Sequence, residues 1–571
     1  MLCTAFRFAF ACSLAFQGFS ACASDPQSGP EGPGSQVTIS RAAEGPVLLF
    51  AGTTVSLGAI GTDQAGHVVP TTALHYESSN PSVVLVDSAG QLHGIASGEA
   101  TVSAASGSAR LEASVYVAPP HPNGPVTHHV SADETVGGYG TAERPFGLTQ
   151  ALRHPATVLA GDTLLLHGGT YRGEFTSTLT GTEAAPVVLR QAPGERAIID
   201  GNMVVKGANA AYWGFEVMSS IVAPEDKMSI DVHAPGTKFI NLVLHDGGGN
   251  GIGMWEESSN SEIYGSIIYN NGRQRVASGF AHGIYAQNST GTQRFVDNVL
   301  FNQFGYGIHI YGKAGPLNGF HLEGNASFEN GAPASSRGSV NILVGGVQPA
   351  SRIEVIRNYT FQRSTDGTNV WLGWDTPNED VQVQDNYLVG GSPTLRMDNW
   401  RRATVRGNVL VTLAGAVNLA GTLSGYEWAD NTYYRDPASP AWFFDDAWDL
   451  PTWQARTGFR ADRSGGAMPT GVEVAVRPNR YEAGRANVII YNWSGAAAVD
   501  VDLSGVLAAG DHYAIRPVQS LFGSPVVSGT YTGGSVSIPM DAYAPPTPIG
   551  GWLVTPSPTG PQFNVMLVTR E

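Results

Sequence analysis

Asp297-Asn298-Val299-Leu300-Phe301-Asn302-Gln303-Phe304-Gly305-Tyr306-Gly307-Ile308-His309-Ile310-Tyr311-Gly312-Lys313 decides the fold. It opens on an Asn behind a charged residue and closes on an apolar-x-apolar triplet, and both features recur. The Asn returns in Gly324-Asn325, Arg357-Asn358, Asp385-Asn386, Gly407-Asn408 and Asp430-Asn431, at intervals of 27, 33, 28, 22 and 23 residues. The triplet is preceded by Ile230-Asp231-Val232, Ile252-Gly253-Met254 and Ile284-Tyr285-Ala286. It is followed by Val340-Asn341-Ile342, Val370-Trp371-Leu372, Leu395-Arg396-Met397 and Val417-Asn418-Leu419. Short strands at an irregular spacing of this size predict stacked coils with loops of varying length, a parallel β-helix. Each triplet turns its flanking residues inward and its middle residue outward. An amide at an equivalent turn of every coil can donate and accept along the axis, so the Asn positions predict a ladder.

The composition agrees. Of 571 residues (60.0 kDa), 42% are hydrophobic and only 14% charged, with 71 Gly and 35 Pro. That profile lacks the Ala/Glu/Lys/Leu richness of helical bundles and favours many short strands in several domains. The net charge is −16, and the lysines are Lys206, Lys227, Lys238 and Lys313. No basic stripe exists, which argues against a nucleic-acid partner.

The three cysteines, Cys3, Cys12 and Cys22, all lie in an opening segment with Arg7, an apolar run from Phe8 to Phe16, and Gly18-Phe19-Ser20-Ala21-Cys22. This predicts an export signal over residues 1–22, too short to span a bilayer. Its last four residues resemble a bacterial lipoprotein box. The resemblance implies lipidation at Cys22 and a place in the cell envelope or at the cell surface; cleavage after Ala23 and secretion is the alternative. A Pro/Gly/Ser tether over 23–35 follows.

Alternating short strands over 36–118 predict a β-sandwich. Tyr76-Glu77-Ser78-Ser79-Asn80-Pro81-Ser82-Val83, Val86-Asp87-Ser88-Ala89-Gly90 and Gly94-Ile95-Ala96-Ser97-Gly98-Glu99-Ala100-Thr101-Val102 resemble the bacterial immunoglobulin-like group 2 domain. Pro119–Pro125 reads as a linker, 126–465 as the β-helix, and 467–571 as a C-terminal β-sandwich. Gly140-Thr141-Ala142-Glu143-Arg144-Pro145-Phe146 and Gly161-Asp162-Thr163-Leu164-Leu165-Leu166-His167-Gly168-Gly169-Thr170-Tyr171 resemble the start of pectate-lyase-like right-handed β-helix proteins. The fold class is therefore all-β, a right-handed parallel β-helix flanked by two β-sandwiches. Leu450-Pro451-Thr452-Trp453-Gln454 to Gly458 looks like the short helix that closes such a solenoid.

The triplets make one face readable. Its first outward column is Asp231, Gly253, Tyr285, His309, Asn341, Trp371, Arg396, Asn418. Two residues on come His233, Trp255, Gln287, Tyr311, Leu343, Gly373, Asp398, Ala420. Aromatic faces for sugar rings beside hydrogen-bonding groups for hydroxyls are what a glycan groove needs. Trp255, Gln287, Asn341, Trp371, Arg396, Asp398 and Arg401, with Arg402 beside it, are the candidate substrate-binding residues. The densest knot, His282, Tyr285, His309, Tyr311 and Lys313, is the candidate catalytic set. A polysaccharide lyase needs a base beside a uronate carboxylate, a cation to neutralise it and an acid for the leaving oxygen, and these residue types supply them.

Glycoside hydrolysis instead needs two carboxylates about 5–9.5 Å apart. Asp231 and Asp398 sit six coils apart, about 29 Å at strand spacing, and are not that pair. Glu256 and Glu257 near Asp231 could form one, or Asp231, His233 and Glu256 could hold calcium. Ala281-His282-Gly283-Ile284 looks like the His-Gly element of β-helix polygalacturonases, but their Asn-Thr-Asp and paired-Asp elements are missing from the neighbouring coils. The expected function is β-elimination on an acidic polysaccharide. A non-catalytic glycan-binding or adhesin-type surface protein is the rival, and a glycoside hydrolase the third reading.

Overall fold

The structure, a computed structural model, describes residues 37–133, 137–222, 227–273, 281–313, 315, 317–334, 340–552 and 554–571. The expected export signal, the tether and Cys22 lie outside the described residues. Among those described, no helix is long and apolar enough to cross a membrane.

The chain is all-β, and its central part is a right-handed parallel β-helix built on three parallel ladders. One coil shows the plan: Gln293–Val296 lies in the first sheet, Val299–Phe301 in the second and Ile308–Ile310 in the third. Each strand pairs in register with its counterpart one coil on, so Phe295 meets Leu322, Leu300 meets Ser327 and His309 meets Leu343. The right-handed path is the one parallel crossovers take. Phe239, Ile263, Phe295, Leu322, Val355, Val383 and Val405 stack down the inside of the first sheet, all buried in one continuous core.

The Asn positions form the expected ladder at the corner between the first and second sheets. The Nδ2 of Asn298 donates to Oδ1 of Asn325 at 3.0 Å, and the row continues through Asn358, Asn386 and Asn408 to Asn431. Asn431 then donates to Asp462 at 3.1 Å. Every rung also takes the backbone N–H of the previous Asn. The residue before each rung explains the sequence pattern. Asp297, Arg357, Asp385 and Asp430 have φ of 54°, 50°, 55° and 61°, and Gly324 and Gly407 occupy the same left-handed turn. Asp, Asn and Gly tolerate that region best, which is why small or charged residues precede the amides.

Seven of the eight third-sheet triplets stand in the predicted register, and one does not. The strand is Ile342–Val344, with Ile308 opposite Ile342 and His309 opposite Leu343. Leu343 therefore takes the middle position and Gly345 the place two residues on. Both Val340-Asn341-Ile342 and Ile342-Leu343-Val344 are apolar-x-apolar, and a period of two cannot distinguish registers that differ by two.

Residues 38–118 form two three-stranded antiparallel sheets and a four-stranded mixed one, in which Val47–Phe50 runs parallel to Ala109–Ala118, around Leu49, Val84, Leu92, Val102, Val115 and Val117. The segment read as a linker is pinned: His121 Nε2 lies 3.1 Å from the buried carboxylate of Asp162 in the first coils. At the far end the helix Leu450–Thr457 closes the solenoid. Asp449 caps it by accepting from Thr452 N, Gly458 ends it at φ 82°, and Trp453 plugs the core.

From 472 onward a five-stranded and a two-stranded antiparallel sheet enclose their own core. The outer face of the five-stranded sheet is also apolar, and it packs on the β-helix. Tyr491, Phe563, Val565 and Leu567 meet Tyr269, Phe301, Phe328 and Phe361, which point outward from the second sheet. Phe563 stacks on Phe361 with centroids 4.8 Å apart. The second sheet is thus covered, and the third keeps the outward face that the sequence marks.

Candidate functional site

The third sheet carries an unbroken strip of rings. His233 stacks near Trp255 (6.1 Å), Trp255 reaches Tyr285 (5.5 Å), and Tyr285 meets His309 edge-on (5.5 Å). His309 lies 5.2 Å from Tyr311, which touches Trp374 at 6.4 Å; Trp374 stacks on Trp371 at 4.2 Å, and the Arg396 guanidinium sits 4.1 Å over Trp371. Six strand steps separate Asp231 from Arg396, so the strip is about 29 Å long.

The catalytic candidates do come together. His282 lies in the turn two residues before the strand Ile284–Ala286, and its Nε2 is 2.8 Å from Nδ1 of His309 on the next coil. The backbone N–H of Tyr306 donates to the other nitrogen of His282, Nδ1, at 3.0 Å. His282 is held from below as well, its own N–H donating to Oδ1 of Asn250 at 2.9 Å. Gly305 passes so close that a Cβ there would stand 2.7 Å from His282 Nδ1. His309 is only 8% exposed. Burial, reinforced by the neighbouring His282, drives it well below the ordinary imidazole range.

The hydroxyl of Tyr285 donates to the carbonyl of Tyr311 at 3.1 Å and accepts from Nε2 of Gln287 at 2.9 Å. Burial pushes this phenol up, partly offset by the Gln287 hydrogen bond. Tyr285 and Gln287 are therefore committed to each other. The hydroxyl of Tyr311 has no partner among the described residues, and Lys313, exposed at the rim, has no ion pair among them. Tyr306, which stacks on His282 at 5.0 Å and meets His309 edge-on at 5.0 Å, completes the cluster. It was missed because it lies in a turn outside both outward columns.

Toward the C-terminal end, Asp398 is the hub. Its Oδ2 accepts from Arg396 Nε at 2.7 Å and from Trp371 Nε1 at 2.8 Å, while Oδ1 is buried without a partner among the described residues. Burial raises its pKa above the ordinary carboxylate value, against the pull of Arg396. Trp371, Arg396 and Asp398 thus form one braced plate, to which Trp374 adds a second indole.

Three expectations need correction. Asn341 is not on the groove. It is fully buried in a second amide row, accepting from Asn330 at 2.9 Å and donating to Asn369 at 2.8 Å. Arg401 belongs to the first sheet, in Trp400–Arg406, and faces Glu379 across 3.6 Å of solvent-exposed surface; Arg402 likewise faces Asp380. The corner between the two sheets separates both from Arg396.

The proposed metal ligands Asp231, His233 and Glu256 do not converge. Asp231 takes the indole N–H of Trp255 and faces His233 at 3.2 Å, and His233 leans toward Glu257 at 3.8 Å. Among the described residues, no group of three or more His, Cys, Asp or Glu is placed to hold a metal ion. These residues do not fit calcium, and no chemistry is routed through it. Nor are Asp231 and Asp398 free for hydrolysis, each being tied to its own indole.

No family model matches the chain. Among curated proteins it is similar to the pectate lyase PEL9 of Emericella nidulans, with 26% identity over 211 residues, or 33% of this chain and 50% of that one. Similar solved structures include the pectate lyase Pel9A, with 18% identity and a TM-score of 0.39 over 54% of this chain and 80% of that one. A rhamnogalacturonan lyase matches at 15% identity and TM-score 0.36, over 53% and 83% of the two chains. The catalytic unit of a GH87 α-1,3-glucanase from Streptomyces thermodiastaticus matches at 14% and 0.38, over 70% and 75%. The chain spans about half the length of the curated relative it matches, and it shares with these proteins a similarity at low identity.

Proposed function

We propose that the protein is an exported, carbohydrate-active β-helix that binds an acidic polysaccharide along the third sheet and cleaves it by β-elimination. The observation that carries this reading is the cluster at the middle of the aromatic strip. An imidazole (His309), a phenol (Tyr311) and an ammonium (Lys313), the last two without a hydrogen-bonding or ionic partner among the described residues, follow one another along a single strand and its exit. Elimination removes the proton beside a uronate carboxylate, forms the carbon–carbon double bond and expels the glycosidic oxygen, which must regain a proton. Lys313 neutralises the carboxylate, lowering the cost of the developing charge, His309 reaches the same group from the middle of the strand, and Tyr311 stands where the proton is handled. The rings on either side, Trp255 and Trp371 with Trp374, hold neighbouring sugars. The similarity to a pectate lyase supports the same chemistry.

The test is to incubate the protein with polygalacturonate, alginate and a neutral α-1,3-glucan, following the ultraviolet absorbance of the unsaturated uronate and, separately, new reducing ends. Unsaturated product from an acidic glycan is expected. Reducing ends without it would favour hydrolysis, and binding without either would leave a glycan-binding surface protein. His309→Ala and Lys313→Ala should each lower product release by about 10²–10³-fold. Retained activity in both would move the site elsewhere.

A further inference from the structure

The two histidines are wired in one direction. The N–H of Tyr306 points at Nδ1 of His282, so that nitrogen is an acceptor and carries no proton. A neutral imidazole has one N–H, which places the proton of His282 on Nε2. Nε2 lies 2.8 Å from Nδ1 of His309, so His282 donates and His309 Nδ1 accepts. The single proton of neutral His309 then sits on Nε2, the nitrogen with no partner among the described residues, on the middle residue of an outward-facing triplet.

We propose that His282 is a positioning residue that fixes the tautomer of His309, and that His309 serves as a permanent neutral N–H donor for an oxygen of the bound chain, matched to a uronate carboxylate. His309 is therefore not the base. An imidazole whose Nδ1 already accepts and whose Nε2 already carries hydrogen has no lone pair to offer. A further proton on His309 Nδ1 would set a charged N–H against the N–H of His282 across 2.8 Å, in a buried setting that already disfavours the charge. The titratable groups around His309 are His282 and Tyr306 from the turns, Tyr285 from the preceding strand and Tyr311 from its own. No carboxylate among the described residues acts on it. Lys313 and His309 then both address the carboxylate, one by charge and one by direction, and Tyr311 is left to move the proton. This assignment deepens the elimination reading and rests on it for the identity of the acceptor, but the tautomer itself does not.

Nitrogen-15 NMR of the full chain, with the His309 signals assigned by a His309→Gln variant, reads the tautomer without any substrate. Expected is a His309 protonated at Nε2, bare at Nδ1, and unchanged across the ordinary imidazole range around pH 6.5. A His309 protonated at Nδ1, or one titrating near that pH, would overturn the proposal. Two His282 variants add a second readout. His282→Gln keeps an N–H toward His309 and should keep both the tautomer and most activity on polygalacturonate or alginate. His282→Leu should release the tautomer, bring back a titration, and lower activity about tenfold or more. Equal behaviour of the two variants in a folded protein would also sink the positioning role. If the tautomer holds but no acidic glycan binds or is cut, the wiring stands and the functional reading fails.

Discussion

At the scale of single residues, Asn358 shows how much one amide does in this fold. Its Oδ1 accepts the N–H and the Nδ2 of Asn325, and its Nδ2 donates to Leu322 O, to Ile356 O and to the next rung, Asn386. Asn358→Ala strands these partners in a dry corner, where each unmet polar group costs about 1–3 kcal/mol. A loss of about 3 kcal/mol or more is expected, seen as a lower denaturant midpoint at unchanged slope. A shift under about 1 kcal/mol would mean that the row is decorative. The ladder was legible because an amide after a left-handed turn residue is a local pattern that every coil repeats. The wiring of His282, His309 and Tyr306 was not. His282 and His309 are 27 residues apart, and the deciding donor is a backbone N–H, which no side-chain pattern reveals.

At the scale of an element, the third sheet is a row of strands whose flanks make core and whose middles make surface. The sequence tells this much wherever apolar and polar residues alternate cleanly, and it fails where they do not. Leu343 is an apolar middle, buried to 1% exposure, and it made the wrong register look as good as the right one. Arg401 was misplaced for a related reason. Only the corner at Asn399, with φ of 57°, separates it from Asp398, and a turn so short is invisible in the alternation. What remains on the face after these corrections is a more compact site, with rings that touch. Trp371→Ala should remove the indole on which Arg396 rests and to which Asp398 is bonded. It should weaken binding of an acidic oligosaccharide by about 1 kcal/mol, roughly fivefold in Kd. Calorimetric titration of that variant against the parent checks it, and an unchanged affinity would place the chain on another face.

At the scale of the whole molecule, the C-terminal sheets act as the cover of the second face, a role that composition could not assign because the apolar patches it joins lie far apart in sequence. One edge of that cover is held by a charged knot. His245 places Nδ1 2.6 Å from Asp246 and Nε2 2.9 Å from Glu216, while Arg196 grips Glu216 and lies over Phe522 from the C-terminal domain at 3.8 Å. The N–H of Ile549, from the same domain, donates to Asp246 at 2.8 Å. Burial alone would lower His245, but Asp246 and Glu216 outweigh it and its pKa is raised; burial would raise Glu216, but His245 and Arg196 outweigh it and its pKa is lowered. The signs are opposite. The His245 contribution is complete below its unfolded value of about 6.5 and fades as pH rises through the higher folded value. The Glu216 contribution is complete above about 4.3 and fades as pH falls through its lower folded value. The knot is therefore tightest from about pH 4.3 to about pH 6.5 and loosens on the alkaline side first. Replacing His245 by Gln should cost more stability near pH 5.5 than near pH 8.5, roughly the two sides of that transition. Thermal midpoints of the two proteins at both pH values measure the difference. Amide exchange at Ile549 tells whether it is the C-terminal cover that comes loose. An equal loss at the two pH values would mean that His245 holds the interface as a neutral ring stacked on Tyr269, 4.7 Å away, and not as a cation between two carboxylates.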